Sequence, residues 1–185
     1  MPPTITRYYL DRTQLAELAG LADSKSVRQM ENAGRLLSPD VIVGDEDAAG
    51  KVSAGWDRQR AVRFFQETGR LDDTGRPVVG LKPGALTPEQ QAKEAEFMGK
   101  WTSVPKRYLG GLQVMRKLAI SNAYFHDRRA QGKFPQPDVV IGKAPTRIVD
   151  GKEVPTTQSR RGVVHGWDAV RMDRFAQQEA ATRSA

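Results

Sequence analysis

Cysteine is absent from the chain, which excludes disulfides, thiolate metal sites and a cysteine nucleophile together. Only two histidines occur, His126 and His165, too few for a metal centre unless carboxylates join them from elsewhere. No run approaches the ~18 consecutive apolar residues of a membrane span. The opening residues Met1 to Leu10 lack the charged-then-apolar order of an export signal. No phosphate-cradling glycine loop, paired catalytic carboxylates or nucleophile–base set is visible. The expectation is a cytoplasmic protein that is not an enzyme, carries no cofactor or metal and does not contact membranes.

What is present is charge and repetition. The 185 residues, 38% apolar and 28% charged, suit one or two small domains. The net charge of +7 is unevenly placed: residues 1–69 carry 9 cations against 10 acids, 70–105 carry 5 against 5, and 106–185 carry 15 against 7. A cationic C-terminal part fits a polyanionic partner, or else a solvated basic surface.

Two stretches match closely. Gly34-Arg35-Leu36-Leu37-Ser38-Pro39-Asp40-Val41-Ile42-Val43-Gly44 aligns with Gly132-Lys133-Phe134-Pro135-Gln136-Pro137-Asp138-Val139-Val140-Ile141-Gly142 at an offset of 98 residues. Gly55-Trp56-Asp57, followed by Arg60, Arg63 and Phe64, aligns with Gly166-Trp167-Asp168, Arg171, Arg174 and Phe175 at an offset of 111. The 13 additional residues of the second copy fall between the two blocks, as expected for an insertion at a hairpin tip. Upstream, Tyr9-Leu10 with Leu15 and Leu18 lies opposite Tyr108-Leu109 with Val114 and Leu118. The chain contains an internal duplication.

In copy one, Asp11 or Thr13 can cap a helix burying Leu15 and Leu18, which Gly20 ends. Asp23 or Ser24 caps a second helix with Val27 and Met30 inward, leaving Ser24, Lys25, Ser26, Arg28 and Gln29 outward. Gly34 stops it. Pro39-Asp40 turns into the strand Val41–Val43, and the return strand near 51–53 leads to Trp56. Asp57 caps a closing helix with Ala61, Phe64 and Phe65 inward. Two helices joined by a tight turn, then a hairpin and a closing helix, make a winged helix-turn-helix.

Copy two repeats the plan. Ser121 caps a helix over about 122–131, with Phe125 in the place of Val27. Its outward faces carry Asn122, Tyr124, His126, Arg128 and Arg129, with Lys133 just beyond. Asn pairs with adenine, Arg forks onto guanine, and aromatic rings meet the thymine methyl or a sugar; Arg128 and Arg129 also read as an ordinary solvated face. The long wing carries Lys143, Arg147, Lys152, Arg160, Arg161 and His165 against Asp150 and Glu153, a composition that phosphates attract.

The order Tyr108-Leu109, Val114, Leu118, Ile120-Ser121, Gly132-Lys133-Phe134-Pro135, Pro137-Asp138 and Gly166-Trp167 resembles the excisionase and AlpA-type winged helix-turn-helix family, relatives of the MerR DNA-binding domain. The resemblance covers about 107–178 well and about 8–68 less sharply. It implies cytoplasmic DNA binding, nucleoid-associated when bound, with the second helix in the major groove and the wing on backbone or minor groove. The groove-facing set it implies is Asn122, Tyr124, His126 and Arg129 in copy two, and Ser24, Lys25, Ser26 and Arg28 in copy one. Copy one departs from the family in its acidic wing tip, Asp45-Glu46-Asp47.

The expected organisation is therefore mainly α with small β-hairpin wings (α+β): a first winged helix-turn-helix over 1–69, a linker over 70–106 with a helix at about 88–100, and a basic second module with a long wing over 107–185. The linker helix, opened by the capping box of Thr87-Pro88-Glu89-Gln90, is either a spacer docked on one module or a dimer contact. The expected partner is double-stranded DNA, with half-sites near one helical turn (~34 Å) apart, and self-association left open. The expected role is a sequence-specific transcription regulator or excision accessory factor of a phage or mobile element. The competing role is a structural adaptor that uses the same modules for protein contacts.

Overall fold

In both copies the first two helices start where a side-chain oxygen accepts from a backbone amide of the opening turn. In the computed structural model, which describes residues 5–44, 52–78, 96–142, 146–149, 152–155 and 163–183, α1 (Arg12–Leu18) opens with a capping box. The Asp11 carboxylate accepts from the Gln14 amide at 2.8 Å, and the Gln14 side chain accepts from the Asp11 amide at 3.1 Å. Helix α2 (Ser24–Asn32) is capped by Asp23 through the Ser26 amide at 2.9 Å. Strands β2 (Val41–Val43) and β3 (Ser53–Gly55) form the hairpin, and α3 (Arg58–Glu67) follows from the N-cap Asp57. Residues 96–101 form α4.

The second copy runs α5 (Gly111–Leu118), α6 (Asn122–Ala130) capped by Ser121, β5 (Val139–Ile141), β8 (Val164–Gly166) and α7 (Ala169–Arg183). Between β5 and β8 the inserted residues make a hairpin of their own, β6 (Thr146–Val149) against β7 (Lys152–Pro155), with Val149 opposite Lys152. The fold is mixed α and β, with small sheets. Among the described residues no helix is long and apolar enough to cross a membrane.

Two further strands precede the first helix of each copy: β1 (Arg7–Tyr9) and β4 (Lys106–Tyr108). Each pairs with the hairpin of the other copy, giving sheets ordered β1-β5-β8 and β3-β2-β4. The Arg7 amide donates to the Asp138 carbonyl at 3.0 Å, and the Lys106 amide donates to the Asp40 carbonyl at 2.9 Å. This exchange sets the compact units, whose boundaries fall within strands: residues 1–8, 42–53 and 107–185 make one, and 9–41 and 54–106 the other.

One hydrogen-bonded lock closes each copy. In copy one Leu10 and Trp56 exchange backbone bonds at 2.8 and 3.0 Å, and the Trp56 indole N–H donates to the Leu37 carbonyl at 3.1 Å. Asp40 accepts from the Asp57 amide at 2.8 Å and pairs with Arg60 at 3.1 Å. In copy two Leu109 and Trp167 exchange the same bonds at 2.8 and 3.0 Å, and the indole donates to Pro135 at 3.0 Å. Asp138 accepts from the Asp168 amide at 2.8 Å and pairs with Arg171 at 2.9 Å. Both indoles are fully buried. The glycine before Trp167 is dictated by this closeness, since a Cβ on Gly166 would stand 2.6 Å from the Val139 side chain and 2.9 Å from Tyr108 Cβ.

The cores follow the expected faces. Leu15, Val27, Ala61, Phe64 and Phe65 are buried around Trp56; Val114, Phe125, Phe134 and Met172 are buried around Trp167. The segment expected as a linker contributes to the first of these cores. Trp101 of α4 is buried with its ring 5.5 Å from that of Phe64, and Phe97 packs beside it, so α4 docks within its unit. Of the helix expected over 88–100, residues 88–95 lie outside the described residues.

Candidate nucleic-acid interface

The second helix of each copy offers the candidate contact surface. On α6 the Ser121 hydroxyl accepts from the Tyr124 amide at 3.2 Å, and Asn122, Tyr124 and His126 are exposed. Lys133 is exposed just past its C-terminus. On α2, Lys25, Arg28 and Gln29 are exposed, while Ser24 and Ser26 are half-buried. The Ser26 hydroxyl is turned back to Asp23 at 3.1 Å. These bonds from Ser26 hold the Asp23 carboxyl below its usual range.

The two arginines expected on the outward face of α6 are folded back onto the protein. Arg128 pairs with Glu179 of α7 at 2.6 Å, and its guanidinium sits 5.6 Å from the Tyr124 ring centre. Its Nε is buried and has no hydrogen-bond partner among the described residues. Arg129 lies 5.3 Å from the Trp167 ring centre and 5.5 Å from that of Phe125. Burial pulls its guanidinium below the ordinary arginine range. The physical reason is local: both side chains find aromatic faces and, for Arg128, a carboxylate within reach, which competes with solvent for a weakly hydrated cation.

His165, counted above with the cations of the long wing, behaves otherwise. It lies half-buried on β8 opposite Val140, with its ring 6.2 Å from Trp167. Burial first, and the Arg129 charge second, push its pKa down to about 4, so it is neutral at pH 7.

The remaining wing candidates are divided. Arg147 belongs to β6, whereas Lys143, Arg160, Arg161 and the acidic tip Asp45-Glu46-Asp47 lie outside the described residues. Other cations are already engaged: Lys117 with Asp173 at 2.6 Å, and Arg12 with Glu31 at 2.9 Å. Sequence reading missed the inward turn of Arg128 and Arg129. The available signal was their spacing, since Arg129 stands four residues after Phe125 and can reach the same ring. Among the described residues no group of His, Asp and Glu is arranged to hold a metal ion. Compared with known protein families, curated proteins and solved structures, the chain finds no match.

Proposed function

We propose that the chain is a non-enzymatic, sequence-specific double-stranded-DNA-binding protein built from two tandem winged helix-turn-helix modules, with no cofactor. In this reading α2 and α6 enter the major groove and the wings meet backbone or minor groove. The role is that of a transcription regulator or excision accessory factor of a phage or mobile element, in the cytoplasm and on the nucleoid when bound. The observation that carries the reading is the repeated exposed polar face: Asn122, Tyr124 and His126 on one second helix, and Lys25, Arg28 and Gln29 on the other, each behind the same tryptophan-centred lock. Arg128 and Arg129 then hold α6 in place instead of reading bases.

The test is binding of the full chain to a random duplex pool, followed by titration of the selected fragment at rising salt. Affinity is expected to fall steeply with salt. Asn122→Ala should cost about 1–3 kcal/mol on the selected site and far less on unselected DNA. Absence of binding to any duplex at low salt overturns the reading. A second reading, a winged-helix adaptor for protein contacts, draws on the exposed apolar side chains Ile5, Val104 and Val170, at 85%, 97% and 60% exposure. Co-purification with a defined protein and no nucleic acid would favour it.

A further inference from the structure

Copy two contains a partly open pocket of about 160 Å³ beside α6, walled by Leu118, Ile120, Phe134 and Phe175, with Ala176 and Ala180 of α7 along its base. Its origin is legible in the repeat. Ala176 stands 111 residues after Phe65, which in copy one is fully buried with its ring 5.2 Å from Phe64, edge to face. Where copy one inserts a phenyl ring, copy two has a methyl group. Its volume is large enough for one aromatic ring, since an enclosed apolar cavity of ~150 Å³ accepts benzene.

The rim of the pocket is polar, with Lys117, Tyr124, Arg128 and Glu179 lining it beside the apolar wall. Arg128 stands 98 residues after Met30, an apolar side chain packed on the core of copy one. Its Nη2 is satisfied by Glu179, yet its buried Nε–H donates to nothing among the described residues. Native structures seldom leave a buried donor without an acceptor; here one borders a partly open pocket with an apolar wall. Because Glu179 already neutralises the guanidinium, the missing acceptor need carry no charge.

We propose that this pocket is a binding site for a small neutral ligand with one aromatic ring and one hydrogen-bond acceptor. The ring takes the place that Phe65 fills in copy one, and the acceptor receives the Arg128 Nε–H. Tyr124, which lines the same pocket and sits under the Arg128 guanidinium, is the side chain through which occupancy would reach the outer face of α6. This inference goes beyond the DNA reading and does not depend on it.

The test titrates the full chain with benzamide and with benzene, followed by NMR of the aromatic and methyl groups, with no DNA present. Saturable shifts are expected at Ile120, Phe134, Phe175 and Ala176, with benzamide about 10-fold or more tighter than benzene, the ratio one hydrogen bond from a charged donor supplies. Arg128→Met should bring benzamide to the benzene level. Ala176→Phe, built on the copy-one residue, should abolish binding of both probes while the circular dichroism stays native; Ala176→Leu serves the same purpose if the larger ring disturbs folding. Absence of saturable shifts at these residues, or equal binding by the filled variants, overturns the site. Equal affinity of the two probes overturns the role given to Arg128. None of these outcomes bears on whether the chain binds DNA.

Discussion

The two copies share one lock and cover its tryptophan differently. In copy one the guanidinium over Trp56 comes from α1: Arg12 lies 5.7 Å from the ring centre and is clamped by Glu31 of α2 through bonds of 2.9 and 3.1 Å. In copy two α5 begins with Gly111 where α1 has Arg12, and Arg129 occupies the place of Glu31. The cation over Trp167 therefore comes from the second helix itself. A salt-bridged pair across two helices has become a single residue stacked on the core, at the cost of a partly desolvated charge. The same trade recurs deeper in: Phe65 has become Ala176, and Met30 has become Arg128. Duplicated scaffolds keep the hydrogen bonds that set backbone geometry, because leaving a buried donor unmet is costly. They vary the side chains that fill volume, where many solutions have similar energy.

The comparison is broken most directly at its centre. Trp56→Ala and Trp167→Ala should each cost about 3–5 kcal/mol, read by urea unfolding of the full chain. Similar losses at both sites would establish that the lock carries equal weight in each copy; a loss at only one would end the equivalence. The histidine comes next. His165 has a pKa of about 4 when folded, against an ordinary value near 6.5. Between these pH values the unfolded chain binds more protons, so stability is complete above about pH 6.5 and is lost as pH falls toward 4. The loss attributable to this residue is up to about 3 kcal/mol. Calorimetry across that range should show it, and His165→Phe should flatten the slope; an unchanged slope would remove His165 from the account. Copy one, lacking a histidine, has no counterpart.

Smaller effects sharpen the picture. Asp40→Ala and Asp138→Ala each remove an acceptor for one backbone amide and for an arginine, and should cost about 2–3 kcal/mol, measurable as a shift in the denaturation midpoint. The smallest pair has opposite signs. Gly20 (φ 64°) and Ala119 (φ 51°) occupy the same left-handed position between the first two helices. Ala119→Gly should stabilise the chain by roughly 0.5–1 kcal/mol by relieving left-handed strain, less glycine's entropic cost. Gly20→Ala should destabilise it by more than that strain alone, since the new Cβ would stand 2.5 Å from Pro77 Cβ. Thermal melts of the two variants that moved in the same direction would contradict the assignment.

Helix limits, their caps and the inward faces were legible in the amino-acid order because they depend on neighbours within one turn: Asp11 with Gln14, Ser121 with Tyr124, Val27 and Phe64 at helical spacing. The duplication was legible for the same reason, as two runs of the same local instructions. Tertiary structure alone decided the rest. Strands β1 and β4 are three residues long and mostly exposed, and they exist only because hairpins far along the chain accept their amides. Whether Arg128, Arg129 and His165 face solvent or protein depended on Glu179 and Trp167, contributed by distant elements. Short-range hydrogen bonds and periodicity are written in consecutive residues; the solvation of a charge and the filling of a core are set by whichever side chains the fold brings alongside.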